Sequence, residues 1–161
     1  MVYFDLFQAF EERDLDYVVI GGVALVMHGV VRMTADLDLM VALTPENLRK
    51  LVDVMARLGY RPRIPEPAEA LLDQRKRQEW RDEKHMEAFS FYAPRQPLAL
   101  IDIMINEPLD YRTMHANAVR MELRGLSIPV AAIDDLIVLK RQAGRPQDLE
   151  DIRALEELRR G

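Results

Sequence analysis

Ile20-Gly21-Gly22-Val23-Ala24-Leu25, followed by Arg32-Met33-Thr34-Ala35-Asp36-Leu37-Asp38-Leu39, is the stretch that decides how this chain is read. Tyr17 to Ile20 is a short β-branched and aromatic run, which predicts a strand entering a tight turn at Gly21-Gly22. Val23 to Gly29 predicts a short helix stopped by Gly29. Asp36 to Leu43 predicts a second strand. Asp36 and Asp38 then share one face, while Leu37, Leu39 and Val41 face the core. Carboxylates two residues apart on a strand lie about 6.6 Å apart and repel by roughly 3 kcal/mol at an effective dielectric near 20. Water, an arginine or a divalent cation can offset this, and Mg2+ is typically held by carboxylates together with substrate phosphates. An isolated Asp-x-Asp is most often the solvated face of an edge strand. Beside a glycine turn, whose bare backbone and following helix N-terminus suit an anion, it reads as a metal site next to a phosphate site.

Outward from that stretch the elements alternate. Residues 3–13 predict a helix with Phe4, Phe7 and Phe10 on one side. Thr44-Pro45 opens another helix, with Thr44 as N-cap, and Gly59 ends it. Residues 60–85 are the least regular part, with three prolines between Arg61 and Pro67 and a helix over Ala68 to Gln78. His85 to Tyr92 and Leu98 to Ile105 predict two strands, and Ala118 to Glu122 with Ser127 to Val130 predict a hairpin around Arg124-Gly125. Helices over Ile133 to Ala143 and from Pro146 to about Arg160 close the chain, separated by Gly144. Strands and helices in this order predict an α/β fold with a mixed sheet, as one domain over residues 1–161.

Asp102 stands in Leu100-Ile101-Asp102-Ile103-Met104-Ile105, a strand otherwise apolar on both faces. A charge there is costly unless paired or metal-bound. It is either an edge-strand acid on an arginine or a third ligand beside Asp36 and Asp38. Composition narrows the class. With 161 residues, 49% hydrophobic and 30% charged, the chain suits a globular domain that needs no staples. It has no cysteine, which excludes disulfide frameworks, thiolate metal sites and cysteine nucleophiles. No apolar run reaches the ~18 residues of a membrane span, and Met1 to Phe10 lacks a basic leader, so a cytoplasmic protein is expected. The net charge of −5 argues against bulk polyanion binding, though a local patch can engage nucleic acid. The one dense basic cluster, Arg75-Lys76-Arg77 with Trp80, reads as a solvated, mobile loop, and His28 as a helix-end histidine.

Gly21-Gly22, Arg32, Thr34, Asp36-x-Asp38 and the distant Asp102 resemble the nucleotidyltransferase superfamily of the DNA polymerase β type. More narrowly, the chain resembles the bacterial AbiEii-type nucleotidyltransferase toxins. Their C-terminal motifs, a helix with a lysine and then Arg-x-x-Asp with a further Asp, are matched by Lys140 and by Arg145, Asp148 and Asp151. The resemblance implies a minimal α+β nucleotidyltransferase fold: a mixed, mostly antiparallel sheet flanked by helices, with a C-terminal helical pair over about 133–160. It implies transfer of an NMP from an NTP to a hydroxyl of an RNA, such as tRNA, or of a protein. Asp36, Asp38 and Asp102 would bind Mg2+ or Mn2+, two ions in all, with Asp102 helping to deprotonate or position the attacking hydroxyl. Gly21, Gly22, Arg32, Thr34 and Arg145 would meet phosphate, as would Lys140, while Asp148 would orient Lys140 or the base. If the chain is a toxin, a cognate antitoxin is an expected partner. Two positions depart from the family: Gly22, where many active members carry serine, and Gln147, where lysine is common. Both favour a second reading, a non-catalytic nucleotide-binding module, which the intact acids and Lys140 oppose. A metal-free antibiotic or small-molecule adenylyltransferase requires that the carboxylates bind nothing.

Overall fold

The computed structural model describes residues 3–161, so Met1 and Val2 of the expected domain lie outside it. The chain opens with helix α1 (Phe4–Glu12), which buries Leu6, Phe7 and Phe10 on one face. Strand β1 (Tyr17–Ile20) is buried throughout and runs directly into α2 (Gly21–His28). The two glycines therefore form the first turn of α2 rather than a turn before it. Gly29, in the left-handed conformation, ends that helix as expected.

Strand β2 (Leu37–Val41) begins one residue later and ends sooner than the alternation predicts. Asp36 stays outside because its Oδ1 accepts from Leu100 N at 3.0 Å, which ties it across to the neighbouring strand. Leu37, Leu39 and Val41 are buried, as the pattern requires. Helix α3 (Pro45–Arg57) is capped by Thr44, whose hydroxyl accepts from Asn47 N at 3.2 Å. The buried Asn47 side chain accepts from Asp16 N and donates to the carbonyls of Asp16 and Ala42, each at 2.9 Å.

The irregular region is more ordered than its prolines suggest. It holds the short strand β3 (Arg61–Pro62), a 3₁₀ turn over Ala68–Leu72, and α4 (Gln74–Lys84) in place of one helix over 68–78. The break falls at Asp73, whose carboxylate accepts from Arg75 N at 2.9 Å and restarts the helix. The expected solvated loop is overturned here. Trp80 is fully buried with its ring 5.2 Å from that of Phe89, and Arg77 is buried beside it. An indole that large contributes more inside the core than exposed among charges.

Strands β4 (Ala88–Ala93) and β5 (Gln96–Met104) follow, then α5 (Tyr111–Asn117), which the sequence does not announce. The hairpin of β6 (Val119–Leu123) and β7 (Leu126–Val130) turns at Arg124-Gly125 as predicted. Helices α6 (Ile133–Ala143) and α7 (Pro146–Arg160) have the expected bounds.

The seven strands form one sheet in the order β3-β4-β5-β2-β1-β7-β6. Pairs β1–β2, β3–β4, β4–β5 and β6–β7 are antiparallel, while β2–β5 and β1–β7 are parallel. The sheet is mixed and mostly antiparallel. The parallel pairing of β2 with β5 sets Asp38 directly beside Asp102. Among the described residues, no helix is long and apolar enough to cross a membrane.

Candidate active site

One cleft of about 600 Å³ is lined by Gly21, Gly22, Arg32, Thr34, Asp36, Asp38, Asp102, Lys140, Arg145 and Asp148. They include every residue to which the sequence reading gives a catalytic, phosphate-binding or metal-binding role. The cleft lies where β1 gives way to α2, over the parallel pair β2–β5, and beneath the junction of α6 and α7.

Gly21 has φ +69°, and a Cβ there would overlap the Asp38 carboxylate at Oδ2. Glycine is needed on both counts. The acid is thereby pressed against the bare turn. A Cβ on Gly22 would stand 2.5 Å from Thr34 Oγ1 and 3.6 Å from the guanidinium carbon of Arg32. The absent side chain at position 22 thus leaves its place to the Thr34 hydroxyl.

Asp38 and Asp102 sit side by side in register on adjacent interior strands. The edge-strand reading of Asp102 is excluded by this placement. Asp102 Oδ1 accepts from Ser90 Oγ on β4 at 2.5 Å. Burial first, then the charge and hydrogen bond of Asp102 and the charge of Asp36, together push the Asp38 carboxyl up to about 7 against the opposing Lys140. A like charge in register on the next strand makes the Asp38 carboxylate costlier to ionise. Asp36, just outside β2, has Oδ1 held on Leu100 N and lines the same cleft, and its charge acts on Asp38. Among the described residues, no group of three acids, histidines or cysteines is gathered to hold a metal ion. The pair Asp38–Asp102 fits a hard cation: its donors are all oxygens, and its mutual repulsion calls for positive charge.

The cationic wall comes from three parts of the chain. Lys140 Nζ lies 3.3 Å from Asp148 Oδ1 and 2.9 Å from Asp151 Oδ2. Arg32 Nη1 lies 2.6 Å from the same Asp151 oxygen. Arg145 donates to Asp148 from its backbone N at 3.0 Å and from Nε at 2.9 Å, closing a reciprocal cap on α7. Burial alone would raise the Asp148 carboxyl, but bonds from Arg145 and Lys140 outweigh it and hold the group below the usual carboxylate range. The sequence matches Asp151 to the family motif but gives it no role, because an acid near the start of a helix already has a reason to be there. Asp151 in fact lies past the first turn and is buried. His28 ends α2 with Nε2 2.8 Å from the Ala131 carbonyl, away from the cleft.

An apolar groove of about 630 Å³ adjoins the cleft at Thr34 and Ala35, walled by Val23, Val26 and Met27 of α2 and by Pro97 and Leu98.

Comparison with known proteins gives one family. The family described as nucleotidyl transferase AbiEii toxin, type IV TA system, matches residues 5–160. No curated protein matches in sequence. Among solved structures, lincosamide antibiotic adenylyltransferase LnuA, lincomycin-bound, superposes with TM-score 0.63 at 14% identity, over 96% of this chain and 94% of its own. ANT(2")-Ia in complex with adenylyl-2"-tobramycin gives 0.61 at 17%, over 98% and 91%. An antigenic nucleotidyltransferase-like protein from Paracoccidioides brasiliensis gives 0.54 at 17%, over 95% and 72%. At these identities the likeness is one of fold.

Proposed function

The chain belongs to the AbiEii family of nucleotidyl transferases and is itself a nucleotidyltransferase; on that premise we propose that it moves an NMP from an NTP to a hydroxyl of an RNA or protein acceptor, with Mg2+, as the toxin of a toxin–antitoxin pair. The observation that carries the reading is the Asp38–Asp102 pair pressed against the Gly21-Gly22 turn.

In this reading the acceptor oxygen attacks the α-phosphorus, the bond from that phosphorus to the β-phosphate bridge breaks, and pyrophosphate leaves. Asp102, fixed by Ser90, takes the proton from the attacking hydroxyl. The Gly21-Gly22 backbone, the Thr34 hydroxyl, Arg32 and Lys140 bind the β and γ phosphates. Arg145 approaches from the start of α7, and Asp148 orients both it and Lys140. Asp38 and Asp102, with Asp36, would hold Mg2+ (or Mn2+). When bound, that cation supplies Lewis-acid stabilisation of charge on the phosphoryl oxygens.

Charge supports the metal requirement. Arg32, Lys140 and Arg145 face Asp36, Asp38, Asp102, Asp148 and Asp151, so acids outnumber bases before any triphosphate arrives. Thr34 bears on the non-catalytic reading as well. Its Oγ1 occupies the space a side chain at position 22 would take, so a hydroxyl is offered at the turn even though Gly22 has none. A small-molecule acceptor is the second reading. What favours it is that the superpositions with LnuA and ANT(2")-Ia cover nearly all of both partners.

The test is incubation with each α-labelled NTP, Mg2+ and, separately, total RNA, total protein and a panel of hydroxylated antibiotics, beside Asp38→Asn. Label entering RNA or protein with wild type alone supports the first reading. Label entering only the small molecules selects the second. Growth arrest on expression, absent with Asp38→Asn, is the expected sign of a toxin.

A further inference from the structure

Asp151 has no part in the chemistry above, yet its carboxylate is built into the site. A single oxygen, Oδ2, takes Arg32 Nη1 at 2.6 Å and Lys140 Nζ at 2.9 Å. The three residues come from the segment between α2 and β2, from α6 and from α7, so one atom ties together distant parts of the chain. Asp148 is accounted for by its cap on α7 and its bonds to Arg145. Asp151 makes no such cap. Stability is a weak reason to bury it, because the desolvation of buried charges largely cancels their attraction.

Its two partners show what it does. The Arg32 guanidinium carbon stands 3.6 Å from where a Cβ on Gly22 would be, directly against the glycine turn. A guanidinium carries five N–H donors, and Asp151 takes one nitrogen of it. Lys140 Nζ has three donors; it hydrogen-bonds Asp148 and pairs by charge with Asp151, so donor capacity remains for a ligand in the cleft. Without a shared anion, two cations this close would repel, and their long side chains would swing apart.

We propose that Asp151 is a positioning residue: its single oxygen holds Arg32 and Lys140 together as a preformed pair for the triphosphate at the Gly21-Gly22 turn. The proposal rests on the nucleotidyltransferase reading and assigns Asp151 no contact with substrate. Preformed donors bind better because their ordering cost is met before the ligand arrives.

The probe is inorganic tripolyphosphate with Mg2+, titrated calorimetrically, because it carries no base. Wild type is compared with Asp151→Asn, Arg32→Gln, the double variant and Asp151→Glu, with Mn2+ affinity measured in parallel without phosphate. Asp151→Asn is expected to weaken tripolyphosphate at least tenfold while Mn2+ affinity stays within threefold. In the Arg32→Gln background the same change is expected to cost no more than threefold, since its principal partner is already gone. Asp151→Glu, which keeps the charge, is expected to recover part of the loss and covers the case in which Asp151→Asn does not fold. Wild-type binding left within twofold by Asp151→Asn, or a full tenfold cost persisting without Arg32, overturns the proposal and leaves the enzyme reading intact. A wild type that binds no tripolyphosphate with Mg2+ overturns both.

Discussion

At Gly22 the backbone has no room for a side chain. An added Cβ meets Thr34 Oγ1 at 2.5 Å and Thr34 Cβ at 3.0 Å, and Thr34 is β-branched and stiff. Gly22→Ser is therefore expected to lower activity and to cost about 1–3 kcal/mol of stability, the usual range for overpacking. Thermal melts check this, and Gly22→Ala combined with Thr34→Ala should regain part of the loss. Asp38 carries a second prediction at this scale. Its carboxyl, raised by burial and by Asp102 to about 7, binds a proton more tightly in the folded chain than in the unfolded one. Its contribution to stability is complete below an ordinary aspartate pKa and is lost as pH rises through about 7. With EDTA present, the melting temperature should fall from pH 5 to pH 8. Mg2+ should reverse most of that fall at pH 8 and little of it at pH 5. A flat profile with EDTA would show that the pair is not under strain.

Elements with a local signal were legible, and those held by distant partners were not. Thr44-Pro45, Gly29, Gly144 and Pro146 punctuate helices by chemistry carried in the residue itself, and the structure places those boundaries where expected. The start of β2 was misplaced because Asp36 is tied to Leu100, sixty-four positions away, which no local pattern records. The segment Gln74–Lys84 looked like a solvated loop because its charges hide a single buried face, Arg77 and Trp80. That reversal is testable. Trp80→Ala should cost about 3–5 kcal/mol in urea unfolding, as for other fully buried aromatic residues, where a solvated tryptophan would cost under about 0.5 kcal/mol. Within the site, ten residues could be picked from the chain because strand, turn and motif spacing mark them. The motif marks Asp151 too, but its role is not legible there, because that role comes from Arg32, which lies on the far side of the sequence.

Across the whole molecule, the sheet order brings the acids of β2 and β5 together, and the C-terminal helices lay Lys140 and Arg145 over them. With acids in excess in this cleft, a triphosphate and a divalent cation should each bind poorly alone and well together. The melting temperature should rise with NTP and Mg2+ together, by RT ln(1 + [L]/Kd) of stabilisation, and hardly at all with either one alone. The central claim is that Asp38 and Asp102, beside the glycine turn, form a metal–nucleotide site. The most direct measurement is calorimetric titration of the purified chain with an α,β-methylene NTP analogue, with Mg2+ and then with EDTA, for wild type, Asp38→Asn and Asp102→Asn. Binding by wild type only with Mg2+, weakened by about two orders of magnitude or more in both variants, is the predicted result. Equal binding by the variants, or binding that survives EDTA, would contradict it.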